Sequence, residues 1–174
     1  MKKRAWKYSE KEKLSKSLSG KKIVLVGGCF DLIHYGHLTF LKNAKDQGDV
    51  LVVALESDEF IVKSKKRSPI HTQMQRAELL LSHHVVDHIL LLPYLKNHVQ
   101  YRELVETVRP QIIAVTEGDP HLQNKKEFAS RINAEVVAVS SLIPRLSTTR
   151  ILSYETFSRS RAVHGGSSKG DGTN

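Results

Sequence analysis

Short apolar runs alternate with longer amphipathic segments along most of the chain. The runs are typical of buried strands, because they are apolar on both faces and are bounded by turn residues. They lie at 22–28, 49–55, 88–93, 111–116 and 135–140. Apolar residues at helical spacing predict helices over 38–48, 73–83, 99–108, 124–133 and 147–157. Strands and helices that alternate in this way indicate an α/β chain with a parallel sheet.

The alternation predicts a Rossmann-like five-stranded parallel sheet with helices on both faces and right-handed crossovers. In such a sheet a ligand site lies beyond the carboxyl ends of the strands, at the point where the strand order reverses. The first run, 22–28, leads directly into the stretch G-C-F-D-L-I-H-Y-G-H over 28–37. The residues that follow this strand are therefore the first candidates for a functional site.

The chain of 174 residues is expected to form one folded unit with an addition at each end. We predict a basic helical extension over 1–20, the folded domain over 21–157 and a disordered Gly- and Ser-rich tail over 158–174. No apolar stretch approaches the roughly 20 residues that span a bilayer, and the N-terminus lacks the apolar segment of a signal peptide. The single cysteine, Cys29, permits no disulfide within the chain, so a cytoplasmic protein is expected.

The net charge of +9 belongs to the ends of the chain. Residues 1–22 carry nine Lys and Arg against two Glu, and residues 158–174 carry three Lys and Arg against one Asp. The segment 23–157 holds 15 basic and 15 acidic residues and is neutral. Because no surface motif of interleaved aromatic and basic residues accompanies the charge, a general nucleic-acid-binding role is not expected.

Two histidines and their neighbours make the stretch after the first strand a candidate phosphate site. Gly28 lets the backbone turn and approach a ligand closely, and the helix that follows presents free N–H groups. His34 and His37 are three residues apart with Gly36 between them, so both imidazoles would face the same space and could donate hydrogen bonds to phosphate oxygens. An ordinary turn, with Asp31 as a helix cap and two surface histidines, explains the same residues. Both interpretations stay open at this level.

Three motifs in order resemble those of the cytidylyltransferase-like nucleotidyltransferases. The stretch over 28–37 resembles the signature G-x-F-D-x-x-H-x-G-H. The segment K-S-K-K-R-S-P-I-H-T-Q-M-Q-R, at 63–76, resembles the basic loop of the family and the Arg-bearing helix after it. The segment S-T-T-R-I, at 147–151, resembles the motif S-T-[ST]-x-I at a helix N-terminus. The resemblance covers about 22–155, which is nearly all of the predicted domain.

The resemblance implies an enzyme that joins an NTP, either ATP or CTP, to a phosphorylated small molecule, releases pyrophosphate and uses Mg²⁺. The catalytic residues that it implies are His34, His37, Lys65 or Lys66, and Arg76. The nucleotide-binding residues that it implies are Gly28, Cys29, Phe30, Asp31, Gly36, Asp119, Ser147, Thr148 and Thr149. In these sets the histidines contact the triphosphate, the loop lysine neutralises the transferred phosphate and Asp31 holds the turn. No covalent intermediate is expected, because positioning and charge neutralisation carry such a reaction.

Two departures from the family pattern leave the base and the acceptor open. T-E-G-D at 116–119 stands where close relatives carry K-G-G-D or M-G-D-D, and L-I-P-R-L at 142–146 stands where many cytidylyltransferases carry R-T-x-G-[IV]. The other motifs look most similar to the adenylyltransferase domain that makes ADP-heptose, and next to glycerol-3-phosphate cytidylyltransferase and archaeal-type FAD synthetase. The alternative from another class is a non-catalytic nucleotide-binding sensor on the same fold. The family often dimerises, but nothing in this sequence shows a homodimer.

Overall fold

The computed structural model describes residues 4–141 and 151, and it has an α/β architecture. Its strands are β1 (Ala5–Lys7), β2 (Ile23–Gly28), β3 (Val50–Leu55), β4 (His88–Leu91), β5 (Ile112–Thr116) and β6 (Glu135–Ser140). Its helices are α1 (Lys11–Ser17), α2 (Tyr35–Lys45), α3 (Asp58–Lys65), α4 (Gln73–Ser82), α5 (His98–Val108) and α6 (Leu122–Ser130), with a 3-10 turn (Tyr8–Glu10) before α1. The predicted fold class is confirmed, and all five predicted strands are present.

The sheet contains one strand more than the sequence predicts. Its six described strands are all parallel and lie in the order β1-β4-β3-β2-β5-β6. The chain runs outward from β2 through β3 to β4 and then returns to β5 on the other side of β2, so the strand order reverses between β2 and β5. Only Val24 and Leu25 of β2 pair with β5, whereas β3 pairs with β2 along its whole length. The carboxyl end of β2 therefore lies beside an opening in the sheet, where a ligand site is expected.

Side chains on the two faces of the sheet build two apolar layers. Along β2, Ile23 and Leu25 pack with α1, α5 and α6, whereas Val24 and Val26 pack with α2 and α4. Side chains of a strand point alternately to opposite faces, so a continuous apolar run is what a sheet covered on both sides requires. The middle strand β3 is buried at all six positions. These two layers hold β2 and β3 in place, so that the carboxyl ends of both strands lie at the same edge of the sheet.

The sequence predicts a helical N-terminal extension, but the structure builds part of this segment into the sheet. Its residues Ala5–Lys7 form β1, which pairs with β4. The Arg4 guanidinium donates to the backbone carbonyls of Asp87 and Leu81 at 3.1 Å each, and α1 buries Leu14 completely. A strand of only three residues, A-W-K, is too short to give a periodic signal, which is why the sequence pattern does not reveal it.

A second difference concerns the basic loop that the sequence predicts at the start of the segment 63–76, before the Arg-bearing helix. Its first residues belong to α3, which begins after Ser57, whose hydroxyl accepts a hydrogen bond from Phe60 N at 3.1 Å. Only Ile61 of this helix is buried. The apolar stripe is consequently too narrow to predict a helix, although the serine cap and the two acidic residues after it favour one.

Several predictions fall outside the part of the chain that the structure describes. They are the helix over 147–157, the site residues Ser147, Thr148 and Thr149, and the tail over 158–174. The boundaries of the predicted extension, domain and tail stay predictions. Among the described residues, no helix combines the length and the apolar character that crossing a membrane requires.

The burial of α1 predicts that the N-terminal segment is part of the cooperative core. Replacing Leu14, which is fully buried, by Ala should lower the free energy of unfolding by about 2–5 kcal/mol, because a cavity remains in a packed layer. The matched control is Leu79→Ala on α4, where 40% of the leucine is exposed and the loss should be about 0.5 kcal/mol or less. Urea unfolding measures both. Equal losses for the two variants would mean that α1 does not contribute to the core.

Candidate functional site

The candidate site begins where β2 ends, at the opening between β2 and β5. Phe30 adopts a left-handed backbone conformation with φ of 46°, which is unusual for a residue with a large side chain. Its buried ring turns back over Gly28, where an added Cβ would lie 2.9 Å from the ring. Any side chain at position 28 would therefore displace Phe30. The tight turn of the predicted motif has a direct steric cause.

The two predicted histidines come together at the N-terminus of α2. His34 caps this helix, and its Nδ1 accepts a hydrogen bond from His37 N at 3.4 Å. The two imidazoles are stacked, with 3.8 Å between ring centroids and 19° between planes, and the Phe30 ring packs against His37 at 5.0 Å. An Nδ1 that accepts requires the proton of a neutral ring to be on Nε2. The free Nε2–H of His34 can therefore donate to a ligand.

Both histidines are neutral at pH 7. Burial, with a smaller contribution from the neighbouring His34, lowers the pKa of His37 to about 4. Burial also lowers the pKa of His34 below its ordinary value. Neutral imidazoles beside a helix N-terminus offer hydrogen-bond donors without placing two positive charges in contact. The resulting pair is suited to phosphate oxygens, which also favour the positive end of the helix dipole.

Asp31 holds the turn after β2 to the loop that follows α3. Its carboxylate is 1% exposed and accepts hydrogen bonds from Ile70 N at 2.9 Å, from His71 N at 3.1 Å and from the Arg67 guanidinium. Burial acts to raise the pKa of Asp31, but these donors outweigh it and keep the pKa below its ordinary value. All these contacts are internal to the protein, as expected for a residue that fixes the turn.

Arg76 is fully buried behind the turn after β2. Its Nη1 donates to the carbonyls of Cys29 at 2.6 Å and Glu56 at 2.9 Å, and its Nη2 donates to the Asp58 carboxylate at 2.6 Å. Its Nε donates to the carbonyl of His71 at 3.1 Å. The buried guanidinium therefore links the turn after β2, the segment after β3 and the loop before α4 through hydrogen bonds to their carbonyls. The contact with phosphate that the resemblance implies for Arg76 stays a prediction.

Lys65 and Lys66 lie at the end of α3 with exposed side chains. Lys66 ends the helix in a left-handed conformation, with φ of 56°. Within the described part of the chain neither ammonium has an ion-pair partner, whereas Lys63 pairs with Glu59 at 2.7 Å. The structure does not bring either lysine into contact with the histidines.

Cys29 carries a protonated thiol. Burial, with Glu56 as the next contribution, raises the pKa of Cys29 to about 11, although the positive charge of Lys65 acts in the opposite direction. A thiol that keeps its proton at pH 7 is a poor nucleophile. Its backbone carbonyl is bound by Arg76, so the residue contributes to the site through its backbone.

Glu56 is a polar residue of the site that the sequence motifs do not reveal. It follows β3 directly and is 7% exposed. Its Oε1 accepts a hydrogen bond from the Tyr101 hydroxyl at 3.0 Å, and its Oε2 has no hydrogen-bond partner among the described residues. Burial raises the pKa of Glu56 to about 7, against the lowering effect of the Tyr101 hydroxyl. The one sequence signal is an acidic residue placed immediately after a wholly apolar strand.

Asp119 lies in the turn after β5, across the opening from β2. Its carboxylate accepts a hydrogen bond from His121 N at 2.7 Å and pairs with Lys125 at 2.7 Å. Burial acts to raise the pKa of Asp119, but Lys125 and the backbone donor keep the pKa below its ordinary value. The structure thus places the predicted residue at the sheet edge expected for a ligand site, with its charge balanced by a lysine of α6. Its contact with a nucleotide stays a prediction.

Comparisons with known proteins match the part of the chain that contains these residues. The sequence model of a family described as cytidylyltransferase-like matches residues 25–153. The bifunctional protein HldE of Nitratiruptor sp. is 36% identical over 148 residues, which are 83% of this chain and 30% of HldE. The chain thus spans less than a third of the length of that relative. The FAD synthase of Thermococcus kodakarensis is 40% identical over 148 residues, which are 79% of this chain and 95% of that enzyme.

A solved structure agrees with the fold. The crystal structure of the lipopolysaccharide core biosynthesis protein from Thermoplasma volcanium GSS1 aligns with a TM-score of 0.58 and 28% identity. The alignment covers 71% of this chain and 99% of that protein. The architecture built around β2 and β5 is therefore shared with a protein of solved structure.

The raised pKa of Glu56 predicts a specific pH dependence of stability. Between its ordinary value of 4.5 and about 7, the folded protein holds a proton on Glu56 that the unfolded chain releases. The free energy of unfolding should consequently fall as pH rises through this window, by up to roughly 3 kcal/mol. The comparison is with Glu56→Gln, which has no proton to lose. Urea unfolding at pH 4.5, 6 and 7.5 measures the difference, and parallel curves for both proteins would contradict the prediction.

Proposed function

The chain belongs to the cytidylyltransferase-like family, and from this premise we propose that it is a nucleotidyltransferase. It transfers a nucleotidyl group from an NTP to a phosphorylated small molecule and releases pyrophosphate. The observation that carries the proposal is the stacked, neutral pair His34 and His37 at the N-terminus of α2. This pair lies at the carboxyl end of β2, beside the reversal in strand order. The relatives support the same activity through their family membership.

In the proposed reaction an oxygen of the acceptor phosphate attacks the α-phosphorus of the NTP. A new bond forms between that oxygen and phosphorus, and the bond from phosphorus to the pyrophosphate oxygen breaks with its electron pair leaving on pyrophosphate. The histidine N–H groups donate to the phosphate oxygens on which charge grows. Since both rings are neutral, they act as hydrogen-bond donors. No residue forms a covalent bond with the nucleotide.

We assign the mobile charge to Lys65 in preference to Lys66. The charge of Lys65 is the one that acts on the Cys29 thiol, at the turn that would face the triphosphate. An exposed lysine at the end of a helix can swing over the phosphates and neutralise them when the NTP binds. Lys63 is less suited to this role, because Glu59 and the Tyr94 ring already engage it.

Arg76 is best described as a positioning residue in this reaction. Its guanidinium binds the carbonyl of Cys29 inside the turn and the carbonyl of Glu56 after β3. The geometry of the histidine pair depends on this turn. Asp31 supports the turn from the other side through its contacts with the loop before α4.

The described residues include no group of three or more His, Cys, Asp or Glu that could hold a metal ion. Mg²⁺ often reaches such sites on substrate phosphates with few protein ligands. We therefore expect the ion to be held mainly by the triphosphate, where it would neutralise charge. The carboxylate of Asp31 is already occupied by Arg67, so it is not assigned to the ion.

The acceptor is proposed to be a sugar phosphate, with ATP as the nucleotide, as in the synthesis of ADP-heptose. The resemblance of the motifs at 63–76 and the identity to HldE support this assignment. A specific observation favours FMN as the second candidate acceptor, since the Thermococcus FAD synthase is matched over nearly its whole length. The enzyme is proposed to work in the cytoplasm, because its single, partly buried thiol requires no oxidising compartment.

The direct test is pyrophosphate release from ATP and from CTP with a panel of phosphorylated acceptors. The panel contains mannose 1-phosphate, glycerol 3-phosphate, ribose 5-phosphate, heptose 1-phosphate and FMN. We expect turnover with ATP and a sugar phosphate. The sensor alternative predicts nucleotide binding by calorimetry without pyrophosphate release for any pair. No turnover together with no nucleotide binding would contradict both functions.

The histidine pair gives a second prediction. His37→Ala should lower kcat by roughly 10²–10³, the loss expected for one preorganised transition-state donor. His84→Ala, at an exposed position after α4, is the matched control and should leave kcat unchanged. Pyrophosphate release at saturating substrates measures both variants. An unchanged rate in His37→Ala would remove this residue from the mechanism.

A further inference from the structure

A buried carboxylate oxygen beside the nucleotide turn has no partner in the described structure. Glu56 is 93% buried, and only its Oε1 is bound, by the Tyr101 hydroxyl. Its Oε2 is buried and accepts no hydrogen bond. An unsatisfied buried acceptor of this kind costs about 1–3 kcal/mol or more, so an unpaired oxygen in a native structure requires an explanation, and a bound ligand group can supply one. This oxygen is not explained by the proposed chemistry at the histidines.

The backbone ties Glu56 directly to the candidate nucleotide site. Its N–H donates to the carbonyl of Gly28 at 3.0 Å, and its own carbonyl accepts from Arg76 together with that of Cys29. The end of β3 and the turn after β2 are thus fixed to one another. A ligand that occupies the turn lies next to the side of the site where Glu56 stands.

The side chains around Glu56 belong to the opposite face of the sheet from the histidines. Tyr101 is on α5, which packs on the face of α1 and α6, whereas His34 and His37 open α2 on the other face. Two positive side chains, Arg76 and Lys125, lower the pKa of Glu56. Arg76 already donates to carbonyls and to Asp58, and Lys125 is paired with Asp119. This leaves a polar region across the carboxyl edge of the sheet from the histidine pair.

We propose that Glu56, oriented by Tyr101, determines acceptor specificity by accepting a hydrogen bond from a hydroxyl group of the acceptor. This inference rests on the proposed function and adds the part of the substrate that the site recognises. The terminal torsion of a glutamate is soft, so a small rotation about Cγ–Cδ, which moves both oxygens, can aim Oε2 at the ligand while Oε1 stays within reach of the Tyr101 hydroxyl. The acceptor is then a polyol or sugar phosphate.

The Glu56 carboxyl favours a hydroxyl of the acceptor as its hydrogen-bond partner and disfavours the acceptor phosphate. A carboxylate beside the acceptor phosphate would repel it, so the phosphate must lie toward the histidines and the hydroxyl-bearing part toward Glu56. Near its pKa, Glu56 can pair with a hydroxyl in either protonation state, since a hydroxyl both donates and accepts. A site built to bind a hydroxyl strongly rejects an analogue that lacks it, because the buried oxygen is left unpaired.

The test compares steady-state kinetics of the wild type, Glu56→Gln and Tyr101→Phe with ATP and each acceptor of the panel, including its deoxy analogues. For glycerol 3-phosphate the analogue is propane-1,3-diol phosphate. Glu56→Gln should lower kcat/KM for the acceptor roughly 10- to 100-fold, with KM for ATP changed less than twofold. Tyr101→Phe should act in the same direction by a smaller factor. Removing the hydroxyl from the acceptor should cost the wild type more than it costs Glu56→Gln.

The matched control is Glu106→Gln on the same helix as Tyr101, where an exposed glutamate faces Arg102 at 3.8 Å. It should match the wild type, and circular dichroism melts verify that every variant is folded. Glu56→Gln kinetics equal to those of the control, or equal losses for ATP and acceptor, would overturn the inference while the proposed function stands. Turnover by the wild type with FMN alone, with kcat/KM for FMN unchanged in Glu56→Gln, would also overturn the inference, because the ribityl phosphate of FMN carries hydroxyls that Glu56 should recognise. No pyrophosphate from the wild type with any pair would overturn the proposed function and this inference together.

Discussion

A buried guanidinium is the constraint on which the candidate site depends. Arg76 comes from α4, yet its donors reach the turn after β2, the segment after β3 and the residue His71 before its own helix. A charge with no exposure is tolerated only when its hydrogen bonds are satisfied, and here carbonyls and the Asp58 carboxylate satisfy them. Three segments that are distant in sequence are thereby held at one edge of the sheet. The strained Phe30 turn persists because its surroundings are fixed in this way.

Burial then decides the chemistry of the groups on that edge. The histidine pair loses water and becomes neutral, whereas Glu56 loses water and holds its proton up to about pH 7. Asp31 is also almost unexposed, but its donors keep its pKa below the ordinary value. The carboxylate of Asp31 accepts hydrogen bonds from three residues, whereas that of Glu56 accepts one. Asp31 thus holds the turn in place, whereas Glu56 has a carboxyl oxygen without a partner among the described residues.

The sheet explains why the site is divided between two faces. β2 lies in the middle of the strand order and leaves its carboxyl end unpaired toward β5. Helix α2 brings donors to this opening from one side, and α5 and α6 bring Tyr101 and Lys125 from the other. A nucleotide and an acceptor require such separate neighbourhoods that meet at the reacting phosphorus. In the proposed reaction, the exposed lysines at the end of α3 supply charge that closes over the phosphates.

The sequence by itself determined the five long strands, the fold class and the turn with His34 and His37, because hydrophobic periodicity and a contiguous motif are local properties of the chain. It did not reveal β1, whose three residues pair with β4 some 80 positions later. It also did not reveal that Arg76 is fully buried behind the turn, where its donors bind carbonyls of distant segments. Glu56 carried no motif at all. Which polar groups lose water, and which of them then find partners, depends on the packing of remote segments, and only the tertiary structure decides it.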